Sequence, residues 1–284
     1  AMIVSYMLAV VPLIPAMFSI VELGTAMPRA GGAYYFIDRS MGPLLGTIGG
    51  LGTWLALILK TTFALIGMGA YISHYFGGPD LLKGIAVLLA ILFAVANLFG
   101  VRKSGALQIL LVGGLLVILA WFEIMGLMNI NPARFQIFWG EGVDSVISTA
   151  GLVYISYVGV TKVASVSEEI KDPEKNLPLG VFLSVGTAVL IYGLGTYVIV
   201  GVVPAHILKD DYRPVATCAE MLMGNWGGIV VTIAALLAFF AVVNAGIMSA
   251  SRYPLAMSRD HLLPSMFRKF NRHEIPACGV YATL

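Results

Sequence analysis

Lys60 lies in the middle of the apolar run Leu57-Ile58-Leu59-Lys60-Thr61-Thr62-Phe63-Ala64. An ammonium at the centre of a membrane-length helix costs about 2.5–3.5 kcal/mol on insertion scales. So central a side chain does not easily reach an interface. It either faces a polar cavity, where it attracts a carboxylate or passes a proton, or it pairs with an acidic side chain for folding alone. A second feature is Ser156-Tyr157-Val158-Gly159, which interrupts the apolar stretch that opens at Gly151. Gly159 permits backbone angles closed to other residues, and Ser156 brings a hydroxyl that donates and accepts. A helix broken there frees backbone groups that lipid cannot satisfy, which is tolerated where protein or a watery cavity covers them. The alternative is a continuous helix with a packing glycine. A third feature is Asn244 with Gly246 and Ser249. At i, i+2 and i+5 they do not share one helix face, and Asn244 is either a cavity-facing polar group or a helix–helix hydrogen bond.

The elements that position these residues follow from composition. Hydrophobic residues make up 59% of the 284-residue chain and charged residues 11%, against roughly 25% charged in soluble domains. The chain lacks the polar surface to coat a globule, so much of its apolar surface must face lipid. Apolar stretches near 20 residues recur, each able to cross a hydrocarbon core of about 30 Å. Hydropathy gives seven spans, near 1–27, 43–76, 81–100, 105–128, 145–168 (broken), 179–203 and 225–251, with a further one starting near 276–284. With the first loop inside, eleven Lys/Arg fall on the cytoplasmic side against four outside, as the positive-inside rule requires. A net charge of +2 does not suggest a nucleic-acid partner. No basic leader or small-residue cleavage site precedes the first apolar run, and both ends fall inside apolar stretches, which reads as a piece of a longer membrane protein.

Enzyme chemistry finds no support. The sequence has neither a His-Glu-x-x-His zinc motif nor a Gly-x-x-x-x-Gly-Lys phosphate loop. Cys218 and Cys278 match no disulfide or metal framework, and His74, His206, His261 and His273 lie in loops or at span ends without ligand spacing. No catalytic residue, metal or cofactor is expected. The pair Glu168-Glu169 sits at a helix end, where negative charge opposes the dipole. A structural ion pair accounts for it better than chemistry.

Three loop stretches carry a resemblance. Glu22-Leu23-Gly24-Thr25-Ala26-Met27-Pro28-Arg29-Ala30-Gly31-Gly32-Ala33-Tyr34-Tyr35 is the first. Glu168-Glu169-Ile170-Lys171-Asp172-Pro173 with Asn176-Leu177-Pro178 is the second. Ser251-Arg252-Tyr253 with Ala256-Met257-Ser258-Arg259-Asp260 and Leu263-Pro264 is the third. In order and spacing they resemble the signatures of the amino acid–polyamine–organocation transporter family, along essentially the whole chain. The resemblance implies an all-α integral membrane protein holding part of an inverted five-helix-repeat, leucine-transporter-like fold, from helix two to the start of helix nine. It also implies that the family's sixth helix unwinds here, with Ile155, Ser156, Val158 and Gly159 exposed to substrate. Lys60 and Phe63 would stand on the cavity-lining third helix, and Asn244 and Gly246 on the eighth. The first signature either only shapes its loop, through Pro28 and the Gly31-Gly32 turn, or also gates the inner side.

Two departures from the family pattern matter. Thr161 stands where the family often has an acidic or other polar residue, which speaks against acid-based gating there. A proton-coupled branch carries a lysine in its fifth helix, whereas Gly105–Met128 has none and holds Glu123 as its one ionisable group. Lys60 is then the coupling candidate, and Lys162 either snorkels or pairs. The function these features imply is secondary active transport of an amino acid or related small amine by alternating access, coupled to H+ or Na+, in a multi-pass protein of the cell membrane. The partners are that small substrate and the lipid bilayer. The competing reading is a membrane sensor that keeps the fold without transport; a channel lacks a charged ring or filter repeat.

Overall fold

A computed structural model of the chain describes residues 2–27, 31–76, 82–98, 105–135, 142–157, 159, 170–272 and 275–283. Every regular element among them is helical. In chain order they are α1 (Met2–Leu8), α2 (Leu13–Ala26), α3 (Ala33–Met41), α4 (Pro43–Phe76), α5 (Leu82–Leu98), α6 (Gly105–Leu127), α7 (Gly142–Tyr157), α8 (Pro173–Val202), α9 (Ala205–Leu208), α10 (Pro214–Arg259) and α11 (Ala277–Thr283). Among the described residues, Met2–Ala26, Pro43–His74, Pro173–Val202 and Pro214–Arg259 are long and apolar enough to cross a membrane; Lys83–Val95 and Val112–Leu127 are shorter apolar helices. Large apolar side chains such as Leu44, Val117, Leu183 and Trp226 lie exposed on them. Apolar surface of that extent calls for lipid, not water.

Proline and glycine set the helix limits. Pro43, Pro173 and Pro214 open α4, α8 and α10, since a first-turn proline gives up an N–H that has no helical partner anyway. The helix over Pro173–Val202 therefore begins ahead of the apolar span at 179, through a charged first turn that hydropathy does not score. Pro12, which has no N–H to carry a helix through, lies between α1 and α2, so the apolar run over 1–27 is two helices. Gly224 interrupts α10 with φ 68° and ψ −165°, a region essentially restricted to glycine. The hydropathy span at 225 starts at the next residue.

The chain gathers into two compact units. The first holds Ala1–Met17, Ile109–Val158 and Phe182–Ala238; the second holds Phe18–Gln108, Gly159–Val181 and Phe239–Leu284. In the first, α1 packs on α7, where Ser5 Oγ donates to the Val146 carbonyl (3.0 Å). Tyr192 of α8 meets Tyr6 and Tyr157 edge-on. Small residues let α8 close on its neighbours: Gly126 of α6 lies under Val198, and Gly193 lies under Met7. The short segment ahead of Gly224 folds back on the turn after it, because Gly227 and Gly228 leave room for Ala219 and Glu220.

In the second unit, α3 lies along α4 in a groove cut by Gly46, Gly49 and Gly50, against which Asp38, Ile37 and Tyr34 rest. Along α4, Leu57, Thr61, Ala64, Leu65, Met68 and Tyr71 are buried, the i, i+4, i+7, i+8 stripe of a helix with one packed face. The end of α10 from Ser249 to Ser258 is buried on all sides. Gly279 of α11 presses against the Ser251 carbonyl there, and the Trp54 indole N–H donates to Thr283 (3.2 Å).

Candidate functional site

Within the second unit, α4 presents Lys60, half-buried, and its neighbour Thr61. A Cβ added at Gly159 would stand 3.9 Å from Lys60 Nζ. The ammonium is thus brought to a backbone position that carries no side chain, two residues past the end of α7 at Tyr157. Thr61 turns the other way. Its hydroxyl donates back to the Leu57 carbonyl (2.8 Å) and touches the space over Gly246 of α10. Asn244 points elsewhere: its Oδ1 accepts from Asn97 Nδ2 of α5 (3.0 Å), which also donates to Phe93 O (2.9 Å). Residues two apart on α10 thereby bind different helices, Gly246 receiving α4 and Asn244 holding α5. Aromatic contacts reinforce both seams, Phe239 over Gly67 and beside Tyr71, Phe240 beside Phe93.

The structure therefore brings Lys60 to Gly159, and Gly246 to Lys60's neighbour Thr61. It gives Asn244 a helix–helix hydrogen bond. Phe63 lies on the open face of α4, 68% exposed, away from the Leu57–Tyr71 stripe. Ile155, 52% exposed, and Ser156, also exposed, belong to the first unit. Val158, Thr161, Lys162, Glu168 and Glu169 lie outside the described residues. Two contributors went unnoticed in the sequence: Thr61, hidden in a Thr-Thr pair, and Asn97, an amide inside the apolar run Phe93–Leu98. A lone amide in such a run is itself a signal for a partner. Among the described residues no three His, Cys, Asp or Glu side chains come together to hold a metal.

The three signature stretches meet in this same unit. Tyr34, Leu57, Ala250, Tyr253, Ala256 and Met257 form one buried cluster, joining the first signature to the third. The Tyr34 hydroxyl donates to Asp260 Oδ2 (2.8 Å), and Arg39 reaches Asp260 Oδ1 (3.4 Å) while lying over the Tyr35 ring. Burial, and then the Asp260 carboxylate, push the Tyr34 phenol above the usual tyrosine range. Leu177 of the second signature, 1% exposed, fills the space over Gly24 of the first. These residues serve as a fastening, with no reactive arrangement among them.

The sequence profile of the amino acid permease family matches residues 1–284, the full chain. The chain belongs to that family. This permease chain is therefore part of an integral membrane protein of a transporter family, not an enzyme family, and its helices are part of the all-α family fold. It is 25% identical to the branched-chain amino acid permease of Bacillus subtilis, over 96% of this chain and 63% of the relative. It is 25% identical to the mitochondrial cationic amino acid transporter 3 of Arabidopsis thaliana, over 100% and 50%. It is 26% identical to the methylthioribose transporter of Bacillus subtilis, over 95% and 62%. The chain spans between half and two thirds of the length of these relatives.

Proposed function

We propose that the protein carries an amino acid, or a related small amine or carboxylate, across the cell membrane by alternating access, coupled to H+ or Na+. Membership of the permease family supports the transport reading, and relatives named for branched-chain and cationic amino acids support the substrate class. The observation that carries the site is the approach of Lys60 Nζ to Gly159. A half-buried ammonium at Gly159 offers a substrate carboxylate one charge-assisted partner. The family resemblance adds Ile155, Ser156 and Val158 as further candidates for substrate contact. Lys60 anchors the carboxylate or takes part in coupling. Asn244 holds α10 in place and does not touch substrate.

The test is uptake by the full-length protein in proteoliposomes. Saturable, gradient-driven accumulation is expected, with Lys60→Met lowering it at least tenfold. Binding without accumulation favours a sensor that has kept the fold. Wild-type uptake by Lys60→Met with unchanged pH dependence refutes the role given to Lys60.

A further inference from the structure

Glu123 is the single ionisable side chain of α6, one turn from that helix's end. It is 6% exposed, and its Oε1 has no hydrogen-bond partner among the described residues. What faces it is an absence of side chain: a Cβ at Gly195 of α8 would lie 3.9 Å from Oε1. One turn further, Gly126 takes Val198, so the two helices close tightly beside the carboxyl. The titratable groups on the packed elements are mostly phenols. They are Tyr192 and Tyr197 on α8, Tyr6 on α1, which reaches α8 through Met7 and Gly193, and Tyr154 and Tyr157 on α7, which also carries Asp144; α8 carries Glu174 and Lys175 as well, in its first turn, about 20 residues before Gly195. Tyr192 is packed between Tyr6 and Tyr157, and Tyr197 stacks on Phe135. The cation of the neighbouring turn, Arg134, directs Nη1 to the Gly201 carbonyl (3.5 Å). Among the described residues no ion pair holds Glu123.

A carboxylate taken from water into such surroundings loses several kcal/mol of solvation unless it is paired and hydrogen-bonded. The un-ionised acid does not bear that cost. Ionisable groups kept inside membrane segments mark ion and proton paths. We infer that Glu123 is a proton-binding site, loaded as the neutral acid in this conformation and emptied when its surroundings open to water. The step is –COO⁻ plus H+ to –COOH on one side of the membrane and its reverse on the other, with no other reactant. This rests on the transport reading above and gives its coupling ion as the proton. Lys60 is then left to the substrate.

Two measurements on the full-length protein test it. Infrared difference spectra on purified protein, through a pH titration, should show the C=O stretch of an un-ionised carboxyl group in wild type and its loss in Glu123→Gln. No such band in wild type, or one that persists in Glu123→Gln, overturns the inference. In proteoliposomes, accumulation driven by a pH gradient should fall at least tenfold in Glu123→Gln and recover in Glu123→Asp. Full accumulation by Glu123→Gln, or accumulation that needs only a sodium gradient, overturns it as well. If wild type accumulates nothing while the infrared band behaves as stated, transport fails and the proton site stands.

Discussion

Gly246→Ala puts one methyl group where α4 and α10 touch. The new Cβ falls onto Thr61 Oγ1, and stands 3.4 Å from Thr61 Cβ and 3.5 Å from its Cγ2. Thr61 cannot swing clear: it is buried and β-branched, and turning χ1 replaces the hydroxyl with a methyl. The helices must part, at about 1–3 kcal/mol for an overpacked contact. That is roughly a 5- to 150-fold loss in the folded-to-unfolded ratio, at 1.4 kcal/mol per factor of ten. Thr61→Ala alone removes a hydroxyl bonded within its own helix, about 0.5–1.5 kcal/mol, and one buried methyl group, about 0.8 kcal/mol more. In the double variant the two changes fit each other, so the penalties should fall short of their sum by at least about 1 kcal/mol. Unfolding of the full-length protein in detergent, for wild type, both singles and the double, gives that coupling directly. Gly186→Ala on α8, where a Cβ meets nothing within 4 Å, is the control and should be neutral or stabilising by up to about 1 kcal/mol. A double variant whose loss equals the sum of the singles refutes the contact.

Three further outcomes are expected. Gly224→Ala imposes a side chain on φ 68° and should cost about 1–3 kcal/mol, measured by the same unfolding assay. Asn97→Ala should cost about 0.6–1.7 kcal/mol, the range for interhelical bonds in membranes, and adding Asn244→Ala should cost little more if Asn97 is its partner. The Tyr34 phenol is pushed up from 10.0, so the folded state holds that proton more tightly than the unfolded chain. The stability this gives is complete below about pH 10 and is lost as pH rises above it. The unfolding midpoint of wild type should therefore fall as pH rises above about 10, and that of Tyr34→Phe should fall less; parallel curves would mean that the Tyr34 phenol is not held buried against Asp260.

The helical class and family were legible because both depend on local text, apolar length and short loop signatures. Interruptions were harder. Hydropathy averages over a helix's length, so Pro12 disappeared inside one apolar run, and the charged first turn from Pro173 was left outside another. Asn97 and Asn244 are 147 residues apart, and nothing local in either names the other. The cost of Lys60 in its apolar run was readable from the sequence, but its approach to Gly159 needed coordinates. Phe63 shows the limit from the other side: lying three residues from Lys60 on a helix did not place it on the packed face.

The bond between Tyr34 and Asp260 closes across 226 residues, which bears on how the protein is made. At about 5–20 residues per second of synthesis, Tyr34 waits roughly 10–45 s for its acceptor to emerge. The α3–α4 pair can form at once, since its glycine groove is local. The Tyr34 face of that pair must meanwhile be sheltered by the insertion machinery or by lipid headgroups. Slowing elongation between Met41 and Asp260 should therefore lower the yield of membrane-inserted protein more than slowing it elsewhere.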